Sequence, residues 1–199
     1  MTVNLQKGQK IDLTKTCPGL SELMVGLGWD EVPQPSTGFL GKILGTKTDI
    51  DCDASVFLLT NGKLANDKDV VAFYNLKHKS GAVLHQGDNL TGAGDGDDEQ
   101  IKVLLDKIPA NYDKLVFIVN IYQAVSRKQH FGMINNAFIR IVNAKSGQEL
   151  CKYDLSENYD GMTAMIFGEV YRHSGEWKFS AIGQATKDSD IKGLAKRYS

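Results

Sequence analysis

The residues best suited to chemistry lie in two acidic stretches, about forty residues apart along the chain. The first is Asp49-Ile50-Asp51-Cys52-Asp53, and the second, residues 87–99, holds five carboxylates, four glycines and no Lys or Arg. Carboxylates two residues apart on a strand lie about 6.6 Å from each other. Their repulsion is about 2.5 kcal/mol at an effective dielectric constant of about 20. Because a bound cation would turn this repulsion into attraction, the two stretches predict a metal site.

The oxygen donors in residues 87–99 favour Ca²⁺ as that metal. Calcium takes six to eight oxygen ligands and accepts mixtures of carboxylates, amide oxygens and backbone carbonyls. The glycines allow backbone carbonyls to turn toward an ion. A phosphate-binding glycine loop is the competing interpretation, but five acids without a Lys suit an anion poorly. A solvated acidic turn is the simplest alternative. The candidate ligands in this stretch are Asp88, Asn89, Thr91, Asp97, Asp98 and Glu99.

The Asp49, Asp51 and Asp53 cluster has the spacing of an EF-hand loop but lacks its other residues. Ala54 stands where that loop requires Gly, and Thr60 stands where it requires a bidentate Glu. Period-two alternation instead predicts three carboxylates on one side of a strand that begins here. Asp30 and Asn75 follow other apolar runs, and each is either a further oxygen ligand or an ordinary turn residue.

Size and composition predict a soluble globular protein. The chain has 199 residues, of which 42% are hydrophobic and 24% charged, and its net charge is −1. A nearly neutral chain has no general attraction to nucleic acid or to anionic membranes. Three scattered cysteines, without a CxxC pair, suggest neither a disulfide framework nor a zinc site.

The chain shows no signal for export or membrane insertion. Its first ten residues lack the apolar core of a signal peptide. Its longest apolar run, residues 115–119, is too short to span a bilayer. We therefore expect a cytoplasmic protein.

Hydrophobic patterning predicts an all-β fold, a β-sandwich of two antiparallel sheets with little helix. Residues 115–122 (LVFIVNIY) and 137–143 (AFIRIVN) are rich in branched and aromatic residues. Residues 54–59 are apolar on both faces apart from Ser55, which is typical of a central strand. Residues 171–179 predict a hairpin that turns at Ser174-Gly175, with Trp177 and Phe179 on one face. Short strands separated by frequent turns favour a sandwich.

Weaker signals complete the predicted organisation. Residues 4–14, 23–27, 70–74 and 82–85 have short β-like patterns, and helix is expected only near residues 126–131 and 189–198. We predict one domain over residues 1–185, followed by a tail over residues 186–199 with helical character.

Residues 31–48 form a separate loop with an apolar segment. Phe39, Leu40, Ile43 and Leu44 can share one side of a single helical turn. The simpler interpretation is a loop packed on the core, and the alternative is a docking patch for a partner or a membrane surface.

The same motifs carry a family likeness over roughly residues 2–185. The chain resembles the TerD family of tellurium-resistance and general stress proteins, and in particular its Bacillus-type members. The loop over residues 31–48 is long, as in the TerZ-like branch, and Cys52 stands where the family usually has an aliphatic residue. The matching segments are residues 25–30 (VGLGWD), 49–55 (DIDCDAS), 87–99 (GDNLTGAGDGDDE), 136–143 (NAFIRIVN) and 170–178 (VYRHSGEWK).

The resemblance implies a cytoplasmic, calcium-binding β-sandwich that acts in resistance to tellurite and other stresses. It also implies a protein partner, including membrane proteins of the same resistance system. The calcium ligands that it implies are Asp30, Asp49, Asp51, Asp53, Asp88, Asn89, Asp97, Asp98 and Glu99.

Other function classes have weaker support in the residues. A calcium-dependent hydrolase needs a base beside the metal, and His85 is the nearest candidate, although a surface His at a strand end is the simpler interpretation. The other histidines lack metal-site spacing, and no Ser lies in a nucleophile elbow. Cys52 lies between two aspartates, which should raise the pKa of its thiol and make it unreactive. We therefore expect a binding or sensing module, not an enzyme, with a calcium-dependent lipid-surface binder as a further alternative.

Overall fold

The computed structural model describes residues 2–31, 50–88 and 96–199, without the side chains of Glu31 and Asp88. These residues form two six-stranded sheets, which we call sheet A and sheet B. Ten strand pairings hold the sheets, and only the pairing of the first strand with the tenth is parallel. The predicted all-β fold with two sheets and little helix is thus confirmed. The α-helices in the described residues are α1 (Leu13–Thr16), α2 (Ala124–Arg127) and α3 (Ile191–Ala195).

Sheet A has the strand order β1-β10-β9-β3-β7-β6. Its centre is formed by β3 and β9. Positions alternate between buried and more exposed in β9 from Ala137 to Val142 and in β3 from Glu22 to Val25. Alternation of this kind suits a sheet with one face on the core and one face toward solvent. The strands are β1 (Val3–Leu5), β3 (Glu22–Glu31), β6 (Val83–Asp88), β7 (Glu99–Leu104), β9 (Ile134–Asn143) and β10 (Glu149–Asp154).

Sheet B has the strand order β2-β12-β11-β8-β4-β5. Its neighbouring strands β4 and β8 are buried on both faces along most of their length. The strands are β2 (Lys10–Asp12), β4 (Cys52–Leu59), β5 (Val70–Val71), β8 (Lys114–Ile121), β11 (Ala164–His173) and β12 (Glu176–Thr186).

The main core lies between the inner faces of the two sheets. Sheet A contributes residues such as Val25 and Ile141, and sheet B contributes Val56, Phe117 and Phe179, all fully buried. Successive side chains of a strand point to opposite faces. Cys52 and Ala54 of β4 therefore lie on the inner face, and Asp53 and Ser55 lie on the outer face.

The C-terminal hairpin forms as predicted. β11 and β12 pair from His173 and Glu176 outward, and Ser174 and Gly175 have φ values of 54° and 79°. Two consecutive positive φ values are typical of a type I′ turn, which matches the twist of the flanking strands. Trp177 and Phe179 face the main core, as their alternation predicted.

The position of β4 differs from the prediction of a central strand. β4 is next to the edge of sheet B, beside the two-residue strand β5. Its outer face is apolar because the tail of the chain covers it. Leu194 of α3 packs in one cluster with Phe57, and the rings of Phe57 and Tyr198 meet edge to face at 5.8 Å.

Several short elements also differ from expectation. Residues 4–14 contribute to both sheets and end in α1, and residues 70–74 form a strand only at Val70 and Val71. The sequence patterns did not reveal β7 or β10. Their few apolar residues alternate with charged ones, and in β7 the inward-facing series begins with Glu99.

We predict that Leu194→Ala lowers the free energy of unfolding by about 2–5 kcal/mol, as for other buried Leu→Ala changes. Leu194 is fully buried against the outer face of sheet B. Chemical denaturation measures the change. Lys196→Ala, at an exposed position of the same tail, is the control and should change stability by less than about 0.5 kcal/mol. Equal denaturation midpoints for the two variants would contradict this packing.

Candidate metal site

Carboxylates from two distant segments line one pocket of about 450 Å³ at the edge of the sandwich. Asp51 immediately precedes β4, Asp53 is its second residue, and Glu99 begins β7. His85, from β6, completes the polar part of the wall. The structure therefore brings together three of the residues that the sequence predicted as metal ligands.

Glu99 and His85 bind the backbone of β4 where it lacks a neighbouring strand. β5 pairs with β4 only at Val56 and Phe57. Beyond this point the carboxylate of Glu99 accepts a hydrogen bond from the N–H of Ala54, and Nε2 of His85 lies 3.2 Å from the carbonyl oxygen of Ala54. Two side chains of sheet A thus form hydrogen bonds with both the N–H and the C=O group of Ala54 in sheet B. These bonds connect the sheets at the acidic edge.

Both ring nitrogens of His85 take part in hydrogen bonds. The N–H of Gly87 donates to Nδ1 over 3.1 Å, which leaves Nε2 to carry the proton that is donated to the carbonyl oxygen of Ala54. Nε2 also lies 3.5 Å from the carboxylate of Glu99. Burial is the largest single effect and lowers the pKa of His85, but the hydrogen bond and charge of Glu99, the carbonyl oxygen of Ala54 and the charge of Asp53 together raise the pKa above its ordinary value. His85 is only 6% exposed, so the expected surface position was wrong.

Asp97 is buried and forms an ion pair with the partly exposed Arg140 on the outer face of sheet A. Its Oδ1 accepts a hydrogen bond from Nε of Arg140 at 2.7 Å, and its Oδ2 accepts one from Nη2 of Arg140 at 3.1 Å. The hydrogen bonds to Asp97 raise the pKa of Arg140. The carboxylate lies directly over Gly26, where a Cβ atom would overlap it. A metal ion bound to Asp97 would have to compete with this guanidinium.

Asp98 holds the residues immediately before β7 against β3 through two hydrogen bonds. Its Oδ2 accepts a hydrogen bond from the N–H of Trp29 at 2.7 Å, and its own N–H donates to the carbonyl oxygen of Leu27 at 2.8 Å. The three consecutive acids Asp97, Asp98 and Glu99 therefore receive hydrogen bonds from three different strands of the sandwich.

The remaining predicted ligands fall into two groups. Asp30 accepts a hydrogen bond from the side chain of Asn136 at 2.8 Å, and Asn75 donates to the carbonyl oxygen of Val70 at 2.6 Å. Neither lines the pocket of Asp51, Asp53 and Glu99. The other predicted ligands lie outside the described residues: Asp49, Asn89, Thr91 and the side chain of Asp88. The apolar residues of the segment 39–44 also lie outside the described residues.

Within residues 2–31, 50–88 and 96–199, no group of three or more His, Cys, Asp or Glu side chains is arranged to hold a metal ion. Asp51, Asp53 and Glu99 share a pocket but do not by themselves form such a group. A metal site at this edge therefore needs further ligands, and the sequence places candidates in the two adjoining segments.

Cys52 has the unreactive character that its neighbours predicted. Burial is the main cause that raises the pKa of its thiol well above the ordinary value, and the carboxylates of Glu99, Asp51 and Asp53 add to the effect. Cys52 packs in the main core. The predicted direction is confirmed, with burial as a larger cause than charge.

Sequence reasoning missed Arg140 as a partner of the acidic segment. Arg140 interrupts the apolar strand pattern of residues 137–143, where alternation places it on the outer face of the sheet. A lone Arg in an otherwise apolar strand is a recognisable signal for a buried ion pair. Its partner could not be identified, because Asp97 lies 43 residues away.

We predict that Glu99→Leu destabilises the metal-free protein by about 1–3 kcal/mol, because the buried N–H of Ala54 loses its acceptor. Hydrogen exchange of the Ala54 amide, followed by NMR, should become faster. Lys102→Leu is the control, since Lys102 is on the solvent face of the same strand and forms only a surface ion pair with Glu22. An unchanged exchange rate at Ala54 would contradict the proposed hydrogen bond.

We further predict that Gly26→Ala destabilises the protein by about 1–3 kcal/mol, since the new Cβ atom would displace the carboxylate of Asp97 from Arg140. The same change in an Asp97→Ala background should be nearly neutral. Thermal or chemical denaturation of the four proteins of this double-mutant cycle gives the coupling. Additive effects would show that Gly26 is not needed for this ion pair.

Comparison with known proteins identifies the family of this chain. The TerD domain matches residues 1–198. The chain is 55% identical to the stress response protein SCP2 of Bacillus subtilis (strain 168) over 199 residues, with 100% of this chain and 100% of that protein covered. It is 46% identical over 185 residues to the tellurium resistance protein TerD of Serratia marcescens, with 92% of this chain and 91% of that protein covered.

A solved structure has the same fold. The crystal structure of a homologue of telluride resistance protein (TerD) from Streptomyces coelicolor A3(2) superposes with a TM-score of 0.65, covering 91% of this chain and 99% of that chain at 19% identity. The fold and the full-length sequence matches agree with each other. The chain therefore belongs to the TerD family.

Proposed function

We propose that this protein binds Ca²⁺ at the acidic edge of its sandwich and acts as a binding or sensing module in stress response or tellurium resistance. The observation that carries the proposal is the shared pocket of Asp51, Asp53 and Glu99. These carboxylates come from two strands of different sheets, so an ion between them would join segments that are distant in sequence. The names of the relatives support the biological role.

The donor chemistry of the pocket fits a hard cation. Carboxylate oxygens are preferred ligands of Ca²⁺, and the nearest nitrogen donor, His85, is engaged in hydrogen bonds with Ala54 and Gly87. Asp51, Asp53 and Glu99 would hold the ion. The sequence adds Asp49, Asp88, Asn89 and Thr91 as candidate ligands from the two adjoining segments. When bound, Ca²⁺ would neutralise the mutual repulsion of these acids.

Asp97 and Asp98 have a supporting role in this proposal. The ion pair of Asp97 with Arg140 and the hydrogen bond of Asp98 with Trp29 hold the chain immediately before Glu99. They would orient the start of β7 toward the pocket without contacting the ion. Asp30 and Asn75 would act in local structure, through their bonds to Asn136 and Val70.

A binding role has better support than catalysis by this site. Hydrolysis at a metal needs a base that can reach a bound water. Both nitrogens of His85 already have partners, and its ring is buried. Hydrolysis would require these bonds to break, so the calcium-dependent hydrolase remains the weaker candidate.

None of the helices in the described parts of the chain is long and apolar enough to cross a membrane.

The proposed site of action is the cytoplasm, with a protein as the partner. A membrane protein of the same resistance system is the candidate that the family resemblance suggests for this partner. Calcium-dependent contact with lipid through Phe39, Leu40, Ile43 and Leu44 is a separate possibility from the sequence. Co-sedimentation with liposomes, with and without Ca²⁺, distinguishes direct contact with lipid from binding to a protein partner, since only direct contact predicts Ca²⁺-dependent sedimentation with protein-free liposomes.

Calcium titration of metal-stripped protein tests the proposed ion site. We expect heat of binding in calorimetry, and a gain in stability of about 2.7 kcal/mol at a free Ca²⁺ concentration 100 times the dissociation constant. Asp51→Asn should weaken binding at least tenfold. Asp106→Asn, at an exposed position away from the pocket, is the control and should bind as the wild type does. Neither heat nor stabilisation in the wild-type protein would refute calcium binding.

A further inference from the structure

A second pocket, of about 660 Å³, lies beside the acidic edge and has aromatic walls. Phe73, Tyr74, Tyr122 and Val125 line it, with exposed fractions of 54%, 58%, 39% and 69%. They are four of the six large apolar side chains that are exposed in the described residues. Pockets of roughly 300–1,000 Å³ with aromatic walls are typical of small-ligand sites. We call this the aromatic pocket.

The floor of the aromatic pocket contains a polar group that the described part of the protein leaves without a partner. Asn120 is only 5% exposed, and its Oδ1 has no hydrogen-bond partner among the described residues. It lies on β8 directly opposite Asp53 of β4. A buried acceptor without a donor is unfavourable and is rare in folded proteins. Because Asn120 lines the aromatic pocket, its unpaired Oδ1 points to a donor that comes from a ligand.

The charges around the aromatic pocket favour a cationic ligand. Asp53 is beside Asn120 on the floor, and Asp190 is on the rim. Among the described residues of the lining Lys192 is the only cation, and Arg127 lies nearby, over the ring of Tyr122. An anion would meet the carboxylate of Asp53, and a neutral apolar ligand would leave Oδ1 of Asn120 unpaired. An ammonium group, in contrast, can donate three hydrogen bonds to carbonyl and carboxylate oxygens.

The aromatic walls also suit a cation. Rings of Tyr and Phe attract cations to their faces. The guanidinium of Arg127 already lies over the ring of Tyr122, with its Cζ 5.0 Å from the ring centroid. Phe73 and Tyr74 meet edge to face, with centroids 5.1 Å apart, so their positions depend on each other. An apolar stem would find contact with these rings while its charged end reached the floor.

We propose that the aromatic pocket is a binding site for a small organic amine, whose ammonium group binds Asn120 and Asp53 and whose apolar stem packs between Phe73 and Tyr122. The pocket shares Asp53, Phe73 and Tyr122 with the pocket of the candidate metal site. If the proposed function is correct, Ca²⁺ at Asp53 would weaken amine binding, and the amine would weaken Ca²⁺ binding by the same factor. The amine site itself does not depend on that function.

Calorimetry of the metal-stripped full-length protein with phenethylamine tests the proposal. We expect saturable binding of this cationic probe, at least tenfold tighter than binding of the neutral analogue 2-phenylethanol or of the anionic 3-phenylpropionate. NMR should show that the side-chain amide signals of Asn120 shift during the titration. Equal affinity for the neutral analogue, or no saturable binding of the amine, would overturn the proposal.

Variants separate this site from the candidate metal site. Asn120→Leu should weaken phenethylamine binding at least tenfold and leave calcium binding within about twofold, because Asn120 does not line the metal pocket. Asp51→Asn should have the opposite pattern, since Asp51 does not line the aromatic pocket.

A second variant covers the case in which Asn120→Leu does not fold. Tyr122→Leu removes a ring at a partly exposed position and should weaken amine binding several-fold. If Asn120→Leu or Tyr122→Leu folds and binds the amine as the wild type does, the assignment of the site is wrong. If the wild-type protein binds phenethylamine but not Ca²⁺, the proposed function is refuted and the amine site is retained.

Discussion

The hydrogen bonds that Glu99 and His85 make to Ala54 connect the two sheets at the edge where the acidic segments meet. A strand that loses its neighbour leaves N–H and C=O groups that must find other partners, because burying them unpaired is costly. β4 is in this position beyond the short strand β5. An acceptor from Glu99 and a donor from His85 supply the two missing bonds. The position of Asp53, and hence the geometry of both neighbouring pockets, depends on this stretch of β4.

The acidic residues at the start of β7 illustrate how a protein can tolerate concentrated negative charge. Asp97 is paired with Arg140, Asp98 binds the backbone of Trp29, and Glu99 binds the backbone of Ala54. Each carboxylate interacts with a donor from another strand. Part of the repulsion expected from the sequence is therefore offset by the fold itself. A cation would act mainly on the carboxylates of Asp51 and Asp53, beside Glu99.

The outer face of sheet B is divided between packing and exposure. At one end, α3 and Tyr198 cover Phe57 and its neighbours, and form a second apolar cluster. At the other end, Asp53 and Asn120 face a pocket with exposed aromatic walls. Because residues 189–192 form one side of this pocket, the tail both completes the core and shapes the pocket. Cys52, in contrast, is held in the core, where burial suppresses its reactivity.

The sequence by itself determined the all-β class, the hairpin at Ser174 and Gly175, the two acidic segments and the family resemblance. These are local properties, since alternation, turn residues and motifs can be recognised within a few neighbouring residues. Only the tertiary structure decided that Asp97 pairs with Arg140, that Glu99 binds Ala54, and that Leu194 covers β4. The partners in each case lie at least 43 residues apart or on different strands and helices. Which of them meet depends on strand order and sheet packing, and that arrangement reflects the free energy of the whole chain.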